Sequence, residues 1–133
     1  MADPHRAWVF ADVWAFAAIG VYSRPCSLTE VVASADWINH AILLEDEVES
    51  ALGKLAGAGL VRVLEGWLFD LTDQGTELWS EAVGHTLQLR LASVEGHLSV
   101  IEPGATRVPL PPGAMQQAVR DYTGSPSADP QPS

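Results

Sequence analysis

The stretch from Leu44 to Trp79, LEDEVESALGKLAGAGLVRVLEGWLFDLTDQGTELW, constrains the fold more than any other part of this chain. Val48, Ala51, Leu52 and Leu55 recur at helical spacing, so a helix is expected from about Glu45 to Ala58. Glu45, Asp46, Glu47 and Glu49 open it, where carboxylates favour the positive end of the helix dipole. Gly59 then suits the left-handed position after the helix, with Leu60 folding back onto it. Val61 to Leu64 and Trp67 to Leu71 read as strands around a two-residue turn at Glu65-Gly66. Thr72 caps the next helix, Asp73-Gln74-Gly75 fills its first turn, and Leu78, Trp79, Ala82 and Val83 give it an apolar face.

The flanks are helical too. Asp12 can cap a helix reaching about Ser23, apolar on most sides and therefore central, and Arg24-Pro25 ends it. The apolar run Ala7 to Tyr22 is too short to span a bilayer and contains Asp12, so a buried helix is expected rather than a signal or anchor. Ser27 and Glu30 form a capping box ahead of Leu28, Val31, Val32 and Ala35. Asp36 to His40 is a polar break holding Trp37 and Ile38, and Ala41 to Leu44 is a turn of helix or a buried connector. Gly84 interrupts the helix that follows Thr72. Leu87, Leu91, Val94 and Leu98 keep helical steps; Leu87, Leu89 and Leu91 also alternate as a strand would, but Gln88, Arg90 and Ala92 favour helix. Glu102-Pro103-Gly104 stops this element, and Pro103, Pro109, Pro111 and Pro112 punctuate an extended connection. Met115 to Tyr122 reads as a short helix docking through Met115, Ala118, Val119 and Tyr122. The organisation is a lead-in over residues 1–11, a domain over 12–101, a Pro-rich connection with its docking helix over 102–123, and a Pro- and Ser-rich tail over 124–133 that is expected to be disordered. The fold class is mainly α with one small β-hairpin.

Composition narrows the partners. The 133 residues are 47% hydrophobic and carry a formal net charge of -10, which repels phosphate backbones and favours basic or apolar partners. One cysteine, Cys26, excludes a disulfide within the chain, has no metal-ligand spacing around it, and fits an inert thiol in a reducing cytoplasm.

Helix, helix, Gly59-Leu60-Val61 stop, hairpin and then Leu71-Thr72-Asp73-Gln74-Gly75-Thr76-Glu77-Leu78 together resemble bacterial winged helix-turn-helix regulators of the MarR type. The resemblance covers about Leu28 to Ala82, with the helix from Asp12 before it. It implies a winged helix-turn-helix with extra C-terminal helices, and a DNA-binding transcriptional regulator as one function. The segment Asp36 to Ile42 is also similar to small bacterial winged-helix proteins and implies no activity. The chain departs from the pattern in three ways: a longer connection before the third helix through Trp37 to Leu44, a minimal Glu65-Gly66 wing without a basic tip, and charge. From Leu28 to Glu81 eleven carboxylates stand against Lys54 and Arg62, whereas DNA readers neutralise about 6 to 10 phosphates. Lys54 and Arg62 are the candidate DNA contacts if that function holds; Arg90, Arg107 and Arg120 could add to them only if the fold gathers them.

The candidate interaction surface is Asp36, Trp37, Asn39, His40, Glu45, Glu49 and Trp67. Asp36, Asn39 and His40 could flank a partner site beside Trp37, or satisfy backbone groups at a helix end. Trp8, Trp37 and Trp67 are the tryptophans to expect at an interface, with Trp14 and Trp79 in the core. Glu77, Glu81 and His85 repeat every fourth residue, as a solvated acidic face or a metal face would. Gly53, Gly57 and Gly59 lie along a helix and its stop, so they are no phosphate cradle, but their small size allows close helix packing. With no nucleophile–base pair, Gly-rich phosphate loop or paired Cys ligands, the reading is a non-enzymatic regulatory or interaction module without cofactor or metal, binding a protein or itself, with DNA binding as the alternative.

Overall fold

One helix, α1 (Phe10–Gly20), runs through the middle of the molecule with Val13, Phe16, Ala17, Ala18 and Ile19 buried on all sides. The structure, a computed structural model, describes residues 7–124. In chain order α1 is followed by β1 (Cys26–Ser27), α2 (Leu28–Asn39), α3 (Glu45–Gly57), β2 (Val61–Leu64), β3 (Leu68–Leu71), α4 (Asp73–Glu81), α5 (Leu87–Leu98) and α6 (Ala114–Thr123). The fold is mainly helical with a small antiparallel sheet in the order β1-β3-β2. Cys26 pairs with Phe69, and Val61 to Leu64 pair with Leu71 to Leu68. The tail expectation lies, beyond Gly124, outside the described residues.

Local chemistry explains most boundaries. At α2, Ser27 Oγ accepts the Glu30 amide (3.1 Å) while the Glu30 carboxylate accepts the Ser27 amide (3.0 Å), the expected reciprocal cap. At α3 and α1 the cap residues are Leu44 and Val9, which offer no oxygen; instead Glu47 accepts the Leu44 amide (2.9 Å) and Asp12 accepts the Val9 amide (2.8 Å). Asp12 is therefore not the cap of α1 but a residue of its first turn, and the helix ends at Gly20 rather than Ser23. At the end of α3, Gly59 takes φ +80, its amide reaches Ala56 O (3.0 Å), and the Leu60 amide reaches Leu55 O (2.9 Å), closing the helix by the left-handed route expected.

Two distant parts of the sequence pattern meet here. Thr72 Oγ1 donates to Gly59 O (2.6 Å), and the Thr72 amide donates to Leu60 O (3.0 Å). Thr72 Oγ1 also accepts the Gly75 amide (3.0 Å), capping α4. A Cβ on Gly75 would stand 2.0 Å from Leu60 O, so only glycine lets α4 start this close to the end of α3.

Other expectations change. Residues 36–39 are the last turn of α2, not a break; His40 ends it at φ 54. The connection to α3 is then His40–Leu44, shorter than an insertion from Trp37, and it is irregular with Leu43 buried. The hairpin turn holds three residues, because Leu64 pairs with Leu68 and Trp67, at φ 59, sits in the turn. Helix α4 ends at Glu81, so Val83 leaves the apolar face and is exposed. Residues 87–98 are helical, with Leu91, Val94 and Leu98 buried. Helix α6 packs on α2, burying Met115 and Ala118.

Candidate functional site

Helix α3 meets the core through Val48, Ala51, Leu52 and Leu55. Glu49, Gly53 and Gly57, four residues apart, form a separate stripe on its outer side. The extended chain after α5 lies along that stripe. The Gly104 amide donates to Lys54 O (3.0 Å) and the Val108 amide to Glu49 O (3.1 Å). The Glu49 carboxylate accepts the Leu110 amide (2.8 Å) on one oxygen and Arg107 Nη2 (2.9 Å) on the other. A Cβ on Gly53 would stand 1.8 Å from Thr106 O, and one on Gly57 would stand 2.7 Å from Gly104 Cα. What packs against these glycines is therefore an extended backbone, not the helix their size suggested. Glu49 lies one turn beyond the acidic start of α3, and its carboxyl is held below the ordinary range by the Leu110 amide first and Arg107 second.

Lys54 leaves α3 in a third direction. Its ammonium is buried, 2.9 Å from Asp12 Oδ2 and 2.7 Å from Ala7 O. It ties α3 to α1 and cannot reach a nucleic acid, which corrects its place among the candidate DNA contacts. Arg62 is more than half exposed but paired with Asp70 (3.0 Å) across the hairpin. The other described cations are spent in separate places. Arg24 pairs with Glu30, Arg107 with Glu49, and Arg90 lies 3.6 Å over the Trp79 ring while donating to Ala82 O and Trp79 O. Arg120 donates to Gln117 Oε1 (2.8 Å). Among the described residues no two of these cations share a partner, and they form no basic stripe beside α3.

The candidate interaction residues separate into distinct places. Asp36 accepts the Tyr122 hydroxyl (2.6 Å), holding α6 on α2 and raising that hydroxyl above its ordinary range through the hydrogen bond first and burial second. The His40 amide ends α2 on Asp36 O, as residues at a helix end do. Trp37 is 67% exposed on α2. Asn39 lies with Phe10, Ile38, Leu87 and Leu91 around a cleft between α2, α1 and α5. Trp67 borders a groove with the start of α2, Pro111 and Ala118, about 12 Å along α2 from Trp37. Glu45 borders another groove, against α6. Trp8 is partly buried, its indole donating to Ile101 O (2.8 Å). Trp14 and Trp79 are core residues as expected.

The acidic repeat dissolves because α4 stops at Glu81 and the chain turns extended at Ala82, leaving His85 off the helix. No group of three or more His, Cys, Asp or Glu among the described residues is placed to hold a metal ion. Cys26 is buried, and burial first, with the Glu30 charge second, pushes its thiol up to about 12, so it stays protonated at neutral pH. No described helix is long and apolar enough to cross a membrane. The chain matches no family model, no curated protein and no solved structure.

Tyr122 docks α6 as expected, with Asp36 as the partner the sequence did not name, and the residues that sequence reasoning missed are Arg107, Leu110 and Gly104. Each acts on α3 from far along the chain, Arg107 from 58 residues away and Leu110 from 61, and the four-residue spacing of Gly53 and Gly57 was the one signal that α3 had a closely covered side.

Proposed function

We propose that this chain is a non-enzymatic winged helix-turn-helix module that binds another protein or a second copy of itself, and that it does not read DNA. The order α1-β1-α2-α3-β2-β3, with β3 between β1 and β2, supports the winged-helix reading. So does the joint between Gly59-Leu60 and Thr72-Gly75, which gives the resemblance a physical basis.

The observation that carries the functional reading is the chain laid along the outer side of α3. A winged helix that reads DNA puts the corresponding helix into the major groove. That groove is about 12 Å wide and takes one helix, itself about 10 to 12 Å across. With residues 104–110 bonded to it, α3 is wider than the groove, and its start presents Glu45, Asp46 and Glu47. Lys54 is buried against Asp12, and Arg62 and Arg107 are ion-paired with Asp70 and Glu49, so none of the three is a free cation for phosphate. The one cysteine, Cys26, is buried and protonated and so offers no reactive thiol.

Fluorescence anisotropy of labelled genomic duplex fragments, titrated with the full chain at low salt, tests this. No saturable binding is expected. Sequence-selective binding that survives moderate salt would sink the reading, since it would require phosphate and base contacts that the covered helix does not offer.

A further inference from the structure

An apolar recess lies between the α2–α3 connection and α6. Its volume is about 430 Å³, and its lining includes Ile42, Leu44 and Glu45 from the connection and the start of α3, and Met115, Val119 and Arg120 from α6. We propose that this groove is the contact surface of a two-fold homodimer, in which Leu44 of each copy enters the groove of the other and Glu45 of each meets Arg120 of the other.

Leu44 motivates the burial. It is 60% exposed at the cap position of α3, where Ser, Thr, Asp or Asn would supply a hydrogen bond to the helix. The chain thus forgoes a side-chain cap and holds a leucine in water beside a recess lined by its own kind. Charge selects the occupant. A chain of net charge -10 repels a second copy over most of its surface, so self-association needs a face where its carboxylates are matched. This groove carries one acid and one cation. A two-fold contact pairs residue i with j and j with i, so Glu45 and Arg120 form two crossed pairs with neither charge left over. Arg120 is available for it: among the described cations it is the one held by neither a carboxylate nor a ring, with the Gln117 amide oxygen as its partner. A strongly basic partner would face Arg120 unmatched, and a strongly acidic one Glu45.

The inference deepens the protein-interaction reading and rests on it. Sedimentation velocity of the full chain over a range of concentrations tests it. A reversible dimer with a micromolar dissociation constant is expected. Leu44→Ser removes the apolar knob while adding a good helix cap, so the fold is kept and dimerisation should weaken by about tenfold or more. Glu45→Arg and Arg120→Glu should each weaken it by about tenfold, and the double swap should return to within about threefold of the original. A wild-type chain that stays monomeric overturns the proposal, as does a double swap no better than either single change. A monomer that also ignores DNA overturns the dimer alone, whereas salt-resistant DNA binding in the anisotropy titration overturns the interaction reading itself.

Discussion

On its inner side α3 presents Val48, Ala51, Leu52 and Leu55 to α1 and the sheet; on its outer side Gly53 and Gly57 present no side chain, and the backbone of residues 104–106 lies where one would be. The inner side is held by apolar area, which is non-directional and tolerant of exchange among similar shapes. The outer side is held by two backbone hydrogen bonds, a carboxylate that accepts one hydrogen bond on each oxygen, and the absence of Cβ atoms. Both sides are closed, but only the first is closed by something a hydrophobic pattern records.

Lys54, on the seam between the two sides, gives the largest expected effect. Lys54→Ala leaves Asp12 buried without its partner and should cost about 4 kcal/mol in urea unfolding. A loss under one kcal/mol would mean water reaches Asp12 and the seam is open. Leu55→Ala, on the inner side, should cost about 3 kcal/mol by removing packed methyl groups from a fully buried site.

Gly53→Ala breaks the outer side, and its sign is decisive. On an open helix face the exchange should stabilise by about 1 kcal/mol. Under Thr106 O it should destabilise by about 2 kcal/mol and make residues 102–110 sensitive to protease before the core unfolds. The smallest expected effect is at Glu49. Its folded-state carboxyl lies below the ordinary 4.5, so the stability it contributes is present above that value and is lost as the pH falls through the lower folded value. Hydrogen exchange at the Leu110 amide should show that acid step in the wild type and lack it in Glu49→Gln, with the inner side of α3 unchanged.

How far the sequence could be read follows the same division. The caps at Ser27 and Thr72, the glycine stop at Gly59 and the helical face of α5 are set by residues within a few positions, and each was legible. Trp67 reads as a strand residue because a left-handed non-glycine residue is uncommon and nothing nearby announces it. Asp36 to His40 read as a break because their polarity suggested water, whereas Asp36 faces Tyr122 of α6. The seven candidate surface residues fell into separate places for a related reason: sequence nearness and polarity do not say which side of a helix each occupies. In sequence Lys54 reads as a cation available to DNA, and only the arrival of Asp12 from 42 residues away makes it a core residue. The acidity that weakened the DNA reading was visible throughout; the cover over α3, from the far end of the chain, was not.

Hydrogen exchange at the Gly104 and Val108 amides of the full chain tests that cover most directly. Both donate to carbonyls of α3, at Lys54 and Glu49, and both lie in a stretch without regular secondary structure of its own. The closed outer side predicts protection at both positions approaching that of the α3 core amides at neutral pH. Exchange at the rate of an unstructured peptide would contradict it and return the outer side of α3 to solvent and to other partners.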